Sequence, residues 1–150
     1  MRLTVQTDYA LRVLMHVALH DGDRPTIGQI AAAYGISRNH VMKVVHQLGL
    51  AGFLETRRGQ GGGIRLARPA REIIVGDVVR STEPDLALVA CLEPGNGSCA
   101  ITPACVLRGA LQRATEAFLG ELDRVSLADL VANGAALRAL LATDGQGTTD

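Results

Sequence analysis

TIGQIAAAYGISRNHVMKVVHQLGLAGFLETRRGQGGGIRL, residues 26–66, carries two signals that decide the fold: a pair of capped helices and a glycine-tipped hairpin. Thr26-x-x-Gln29 is a capping-box pattern, which opens a short helix through Ile30, Ala31 and Tyr34 and stops at Gly35. Ser37 then caps a second helix. Val41, Val44, Val45 and Leu48 mark its buried side, while Arg38, Asn39, His40, Lys43 and Gln47 crowd the opposite side and the first turn. Two helices joined by Tyr34-Gly35-Ile36-Ser37 make a helix-turn-helix, whose second helix carries residue types suited to base edges and phosphates. After Gly52 the period falls to two. Residues 53–57 and 63–66 read as short strands joined by Arg58-Gly59-Gln60-Gly61-Gly62, a β-hairpin wing with Arg57, Arg58, Arg65 and Arg68 around its tip. The register excludes a nucleotide-binding glycine loop, because Ile64 falls where the last glycine of GxGxxG belongs and no Gly-Lys-Ser/Thr follows.

Outward from this stretch the chain reads as helix. Leu3 and Val5 lead into a helix beginning near Thr7 or Asp8, with Tyr9, Ala10, Val13, Leu14, Val17 and Ala18 on one face, and Asp21-Gly22 ends it. Residues 73–80 predict a connector helix. A long helix is expected from Pro103 to about Arg124, where Leu107, Leu111, Ala114, Phe118, Leu122 and Val125 recur at spacings of four and three, a coiled-coil-like seam. At 1.5 Å per residue it would span about 31 Å, long for a small domain and suited to pairing with a second copy. Ser126 caps a further stretch through Leu130, and residues 135–141 add a turn or two. The expected fold is mainly α: a winged helix-turn-helix with a two-stranded wing over residues 1–82, a cysteine-rich loop over 83–105, a long dimerisation helix with C-terminal helices over 103–142, and a disordered tail over 143–150.

Composition agrees with a small globular chain. The 150 residues are 47% hydrophobic, and with two Tyr, two Phe and no Trp the core must be aliphatic, which makes nucleic-acid contact by aromatic stacking improbable. No apolar run approaches about 18 residues, so no membrane span is expected; with no secretory signal evident, a cytoplasmic location is. The net charge of zero hides an asymmetry. Residues 1–80 hold 11 Lys and Arg against 6 Asp and Glu, a charge of +5, and residues 81–150 hold 4 against 9, a charge of −5. From Arg38 to Arg71 there are 7 basic residues and one acid, Glu55, the footprint of a phosphate-binding surface. The DNA-facing set is therefore Arg38, Asn39, His40 and Lys43 on the helix, with Arg57, Arg58, Gly59, Gln60, Gly61 and Arg65 on the wing.

Every cysteine lies in CLEPGNGSCAITPAC, residues 91–105, spaced Cys-x7-Cys-x5-Cys. Pro94, Gly95, Gly97 and Pro103 break regular structure between the thiols, so a loop can turn all three toward one point. Thr102 is expected to cap a helix starting at Pro103, leaving Cys105 in a first turn that favours a thiolate. An odd number of cysteines argues against a disulfide framework, and the absence of CxxC and of any His beyond His46 argues against structural zinc. An iron-sulfur cluster with one non-cysteine ligand fits the spacing better. No Ser-His-Asp order, nucleotide loop or substrate pocket points to an enzyme.

These parts together resemble a known family. Leu3-Thr4, Thr7-Asp8-Tyr9-Ala10-Leu11-Arg12, Ser37-Arg38-Asn39-His40, Arg57-Arg58-Gly59, Gly61-Gly62-Gly63-Ile64-Arg65-Leu66, Ile74-Val75-Gly76-Asp77-Val78-Val79-Arg80 and the three cysteines are similar to the winged-helix iron-sulfur transcription regulators that include NsrR and IscR. The likeness runs from Met1 to about Leu141 and is greatest to the nitric-oxide-sensitive NsrR repressors. It implies a homodimer that binds double-stranded promoter DNA and holds one 4Fe-4S cluster per subunit, with nitric oxide as signal. It also implies that Cys91, Cys99 and Cys105 bind the cluster, that Asp8 of the partner subunit is the fourth ligand, and that Arg12 pairs with Asp8 or with the anionic cluster.

Two features depart from the cluster-biogenesis branch of that family or qualify the ligand set. The expected His shortly after the third cysteine is replaced by Val106-Leu107-Arg108, and Glu83, Asp85 and Glu93 stay open as oxygen ligands. An IscR-like regulator of cluster biogenesis, or a redox- or zinc-responsive regulator of the same fold, is the alternative. Of the histidines, His40 is expected to face DNA and His16, His20 and His46 to be helix-surface or partly buried groups. Asn96-Gly97-Ser98 matches a glycosylation sequon by chance.

Overall fold

The computed structural model describes residues 2–96 and 99–144, with side chains to 142. Its elements run α1 Val5–Leu19, α2 Ile27–Tyr34, α3 Arg38–Leu50, β1 Leu54–Arg57, β2 Gly63–Leu66, α4 Val75–Thr82, α5 Val106–Leu122, α6 Leu127–Leu130 and α7 Gly134–Asp144, with 3-10 turns at Ala70–Glu72, Ala90–Leu92 and Thr102–Ala104.

The start and stop signals act as read in the centre of the chain. Thr26 and Gln29 form the reciprocal capping box, Gly35 takes the left-handed conformation (φ 61°) that ends α2, and the Ser37 hydroxyl accepts from the His40 N–H at the head of α3. The hairpin pairs Leu54 with Leu66 and Arg57 with Gly63. Ala10, Val13, Leu14 and Val17 of α1 pack between Ile30 of α2, Val41, Val44 and Leu48 of α3, and Ile73, Val78 and Leu127, all nearly solvent-free. Each such side chain is worth about 1.5–3 kcal/mol of burial, which makes α1 the strut against which both halves of the helix-turn-helix are set.

Four helices differ from expectation in their boundaries. First, α1 begins at Val5, because Thr4 rather than a later residue caps it, accepting from the Thr7 N–H. Second, α4 begins at Val75, two residues late: Ile73 and Ile74 stay extended to bridge Ser126, with the Val75 N–H donating to Val125 O (2.9 Å) and the Leu127 N–H to Ile73 O (2.8 Å). Third, α5 starts at Val106 instead of Pro103, since Thr102–Ala104 forms a 3-10 turn and Cys105 (φ −80°, ψ 102°) is the cap itself. Its 17 residues span about 25 Å at 1.5 Å per residue. Fourth, α7 is a full helix of 11 residues rather than a turn or two, docked by the Arg138 guanidinium on Leu19 O (3.0 Å). Residues 143 and 144 thus belong to α7, and the rest of the expected tail lies outside the described residues.

The base of α5 is clamped to α4. Asp123, which caps α5, receives both nitrogens of Arg80 at 2.7 Å, and that pairing holds its carboxyl below the usual carboxylate range. Gly76 makes room for it: a Cβ there would collide with Asp123 Oδ1. No described helix is long and apolar enough to cross a membrane.

Candidate functional site

The first turn of α3 and the wing form one continuous face. Arg38, Asn39, His40 and Lys43 are exposed, as are Arg57, Arg58, Gly59, Gln60 and Gly61. The His40 ring lies 5.9 Å from that of Tyr9, so α1 supports the head of α3 directly, and the Arg38 guanidinium lies over Gly28 of α2. Between α3 and the hairpin runs an open cleft flanked by Met42, Leu50, Arg57 and Arg58.

The cysteines sit where α4 hands over to α5. Cys91 lies in the 3-10 turn Ala90–Leu92 and is half-buried, Cys99 is exposed, and all three thiols are free. The Cys105 sulfur caps α5 by accepting from the Arg108 N–H (3.4 Å), and the Arg108 Nε donates to Cys91 O (3.4 Å), so one arginine ties two cysteine-bearing turns together. Thr102, three residues before Cys105, keeps a buried hydroxyl without a hydrogen-bond partner, a polar atom left over for a further group in the loop. Three thiols and a helix N-cap are a donor set suited to an iron-sulfur group. Among the described residues no three ligand side chains stand together as a finished metal cage.

The end of α4 is also tied to the start of α1. Glu83 Oε1 accepts from the Thr4 N–H (2.8 Å), from the Thr4 hydroxyl (3.1 Å) and from the Thr7 hydroxyl, which in turn contacts the Thr82 hydroxyl at 2.8 Å. One helical turn further on, the half-exposed Asp8 carboxylate pairs with Arg12 (3.0 Å).

A helix-turn-helix, a glycine-tipped wing and a cysteine loop on one strut are a specific combination, and the sequence model of one family, described as Rrf2, iron-dependent transcriptional regulator, matches residues 3–133. The chain belongs to the Rrf2 family. Among Rrf2 relatives it is 50% identical over 142 residues to the HTH-type transcriptional regulator NsrR of Geobacillus kaustophilus (strain HTA426), covering 94% of this chain and 97% of that one. The fold matches CymR (YrzC), the global cysteine regulator of B. subtilis, at TM-score 0.70 with 24% identity over 89% of this chain and 98% of that one. It matches T. potens IscR at TM-score 0.71 with 23% identity over 100% and 94% of the two chains. Rrf2 proteins of this kind are DNA-binding transcriptional regulators, not enzymes, and so is this chain.

Within the Rrf2 frame several residues sit elsewhere than their sequence suggested. Gln47 does not face outward with Lys43; it turns inward, accepting from Gln6 (2.7 Å) and donating to Ser81 O (3.0 Å), because the 3.6-residue period carries it onto the α1 side of α3. Arg68 lies at the base of the wing with its guanidinium 4.8 Å over the Phe53 ring, not at the tip. Arg65 is exposed but paired across the strands with Glu55 (2.9 Å), its register partner. Glu83, left open as an oxygen ligand, is engaged at α1, and Asp85 and Glu93 accept from the Ala87 N–H (3.0 Å) and from Asn96 (3.2 Å). His16, read as surface or partly buried, is 5% exposed and stacks on His20 with centroids 4.3 Å apart. Sequence reading missed the exposed Met42 and Leu50, which follow Arg38 in α3 by four and twelve residues, and it missed Arg24, which reaches the wing tip from the loop before α2.

Proposed function

We propose that this Rrf2 regulator is a homodimeric, cytoplasmic repressor that senses nitric oxide through one 4Fe-4S cluster per subunit. Residues 1–82 read promoter DNA, residues 83–105 hold the cluster, and α5 with the helices after it pairs the two copies. Cys91, Cys99 and Cys105 are the thiolate ligands, with Asp8 of the partner subunit as the fourth. The observation that carries this reading is the cap: Cys105 begins α5, and Arg108 joins that sulfur to the turn that bears Cys91. The NsrR name of a relative 50% identical supports nitric oxide as the signal. Held by these residues, the cluster would supply iron able to react with nitric oxide.

The chain's own residues supply the coupling. Closing the loop around any group pulls on residues 83–90, and Glu83 hands that pull to Thr4 and Thr7 at the head of α1. Because α1 supports the head of α3 through Tyr9 and His40, a shift of α1 alters how α3 meets the major groove. Arg12 keeps Asp8 turned outward until a partner's loop takes it. Protein purified without oxygen should be brown and bind one cluster per chain by native mass spectrometry, losing DNA affinity on nitric oxide titration. Cys99→Ala should lose both colour and response while keeping its fold and its dimer. A colourless protein with stoichiometric zinc would establish the zinc-responsive alternative instead.

A further inference from the structure

Arg24 lies in the loop between α1 and α2, outside both elements that carry the expected DNA contacts. Its φ is +49°, a region that residues bearing a Cβ enter at a cost. Its neighbours show what this backbone serves. The Arg24 Nη1 donates to the Gly61 carbonyl at the wing tip (2.9 Å), the Arg24 carbonyl lies where a Cβ on Gly63 would collide with it, and the Pro25 carbonyl accepts from the Ile64 N–H (3.0 Å). The loop is thus a rail along β2. A rail does not need an arginine, since glycine or asparagine suits that φ better.

What arginine adds is charge in a particular place. Arg24, Arg57 and Arg65 line one cleft of about 200 Å³ on the outer face of the hairpin, with Thr56 and Gly63 between them and Glu55 as its one acid. Glu55 is already held by Arg65 (2.9 Å), so the cleft keeps a positive excess. Its volume is that of several waters at roughly 30 Å³ each, room enough for a phosphodiester group, and a guanidinium offers further N–H donors after one is spent on Gly61.

We propose that Arg24 is a DNA-contacting residue, pinning the wing tip with Nη1 while its remaining donors, with Arg57, hold one phosphate of the DNA backbone. This rests on the reading of α3 and the wing as the DNA face. A phosphate contact from outside the wing fixes the depth and angle at which the hairpin meets the duplex, independent of base sequence.

The test uses the full-length protein and a duplex that the wild type selects from a random-sequence pool, with binding followed by fluorescence anisotropy from 50 to 200 mM salt. Arg24→Gln should weaken binding roughly tenfold at 100 mM salt, as expected when a hydrogen bond to a charged group is removed, and flatten the salt slope by about 0.9 for each phosphate that is no longer neutralised. Arg24→Lys should restore most of the slope, because it restores the charge. Arg24→Gly, which suits the backbone, should match Arg24→Gln in slope and melt at or above the wild-type temperature. Weaker binding by Arg24→Gln with an unchanged slope would make the residue a buttress of the wing and overturn the proposal. Lys43→Ala separates the two levels: if it lowers affinity and slope while Arg24→Gln does neither, only the Arg24 proposal falls, and if neither variant changes binding, the DNA face itself is wrongly placed and both fall.

Discussion

His16 shows how one side chain sets a stability range. Its ring is 5% exposed, stacked on His20 and edge-on to Tyr34 at 5.8 Å, and its Nδ1 is buried without a partner. Burial, and secondly the neighbouring His20, push its pKa down from 6.5 to about 4. The unfolded chain therefore takes up a proton at a pH where the fold refuses it. Stability from this residue is intact above pH 6.5, falls as the pH drops from there to about 4, and changes no further below, with at most about 3 kcal/mol at stake. Urea midpoints measured at pH 7 and pH 5 should differ, and His16→Leu should shrink the difference. An equal difference in the variant would remove His16 as the cause; carboxylates such as Asp123, whose pKa is lowered by its bond to Arg80, lose their contribution only at more acid pH, below the ordinary carboxylate value of 3.8. Gly76 tests the same scale by size. Ala at this position puts a methyl where the Asp123 carboxylate stands, so Gly76→Ala should displace that side chain from Arg80 and lower the melting temperature. Gly76→Ala combined with Asp123→Ala should recover part of that loss in thermal melts, because the clash, not the alanine, is the cause.

At the scale of elements, α5 is the helix that lacks an intramolecular home. None of its residues is buried; Val106 is 83% exposed and Leu107 64%, while Leu111, Phe118 and Leu122 are half-buried along the predicted seam. An amphipathic helix held at its base by Asp123 and the 73–75 bridge, and at its head by the Arg108–Cys91 bond, buries none of its side chains fully against its own chain, so its apolar face is available to a second copy. Leu107→Asp with Leu111→Asp should leave helical content nearly unchanged and convert a dimer to a monomer in sedimentation velocity at low micromolar concentration. A dimer that persists would move the interface off this seam. The element boundaries show where local signals suffice. Capping residues followed by apolar periodicity place α2 and α3 closely, since those signals act through bonds to the next three N–H groups. The start of α4 is not legible in the same way, because Ile73 and Ile74 are helix-compatible in isolation and are drawn extended by Val125 and Leu127, some fifty residues away.

For the molecule as a whole, the junction of α4 with the cysteine segment is tied to α1 and α3: Glu83 to Thr4 and Thr7, Thr82 to Thr7, and Ser81 O to Gln47 of α3. All of these bonds lie at the C-terminal end of α4. The wing is separately held by Arg24 and by the Pro25–Ile64 bond, which keeps its basic tip in register with α3.

From the order of residues alone came the winged helix, its basic face, the clustered thiols and the seam of α5, because periodicity, capping chemistry, glycine and charge are properties of a segment and its immediate neighbours. The sequence alone could not say that Glu83 would be held at the head of α1 rather than stand free, that Gln47 would turn inward, that Gly76 makes room for Asp123, or that Arg24 would reach the wing. Each depends on groups far apart in the chain meeting at hydrogen-bonding distance, and only the packing around α1 sets those distances.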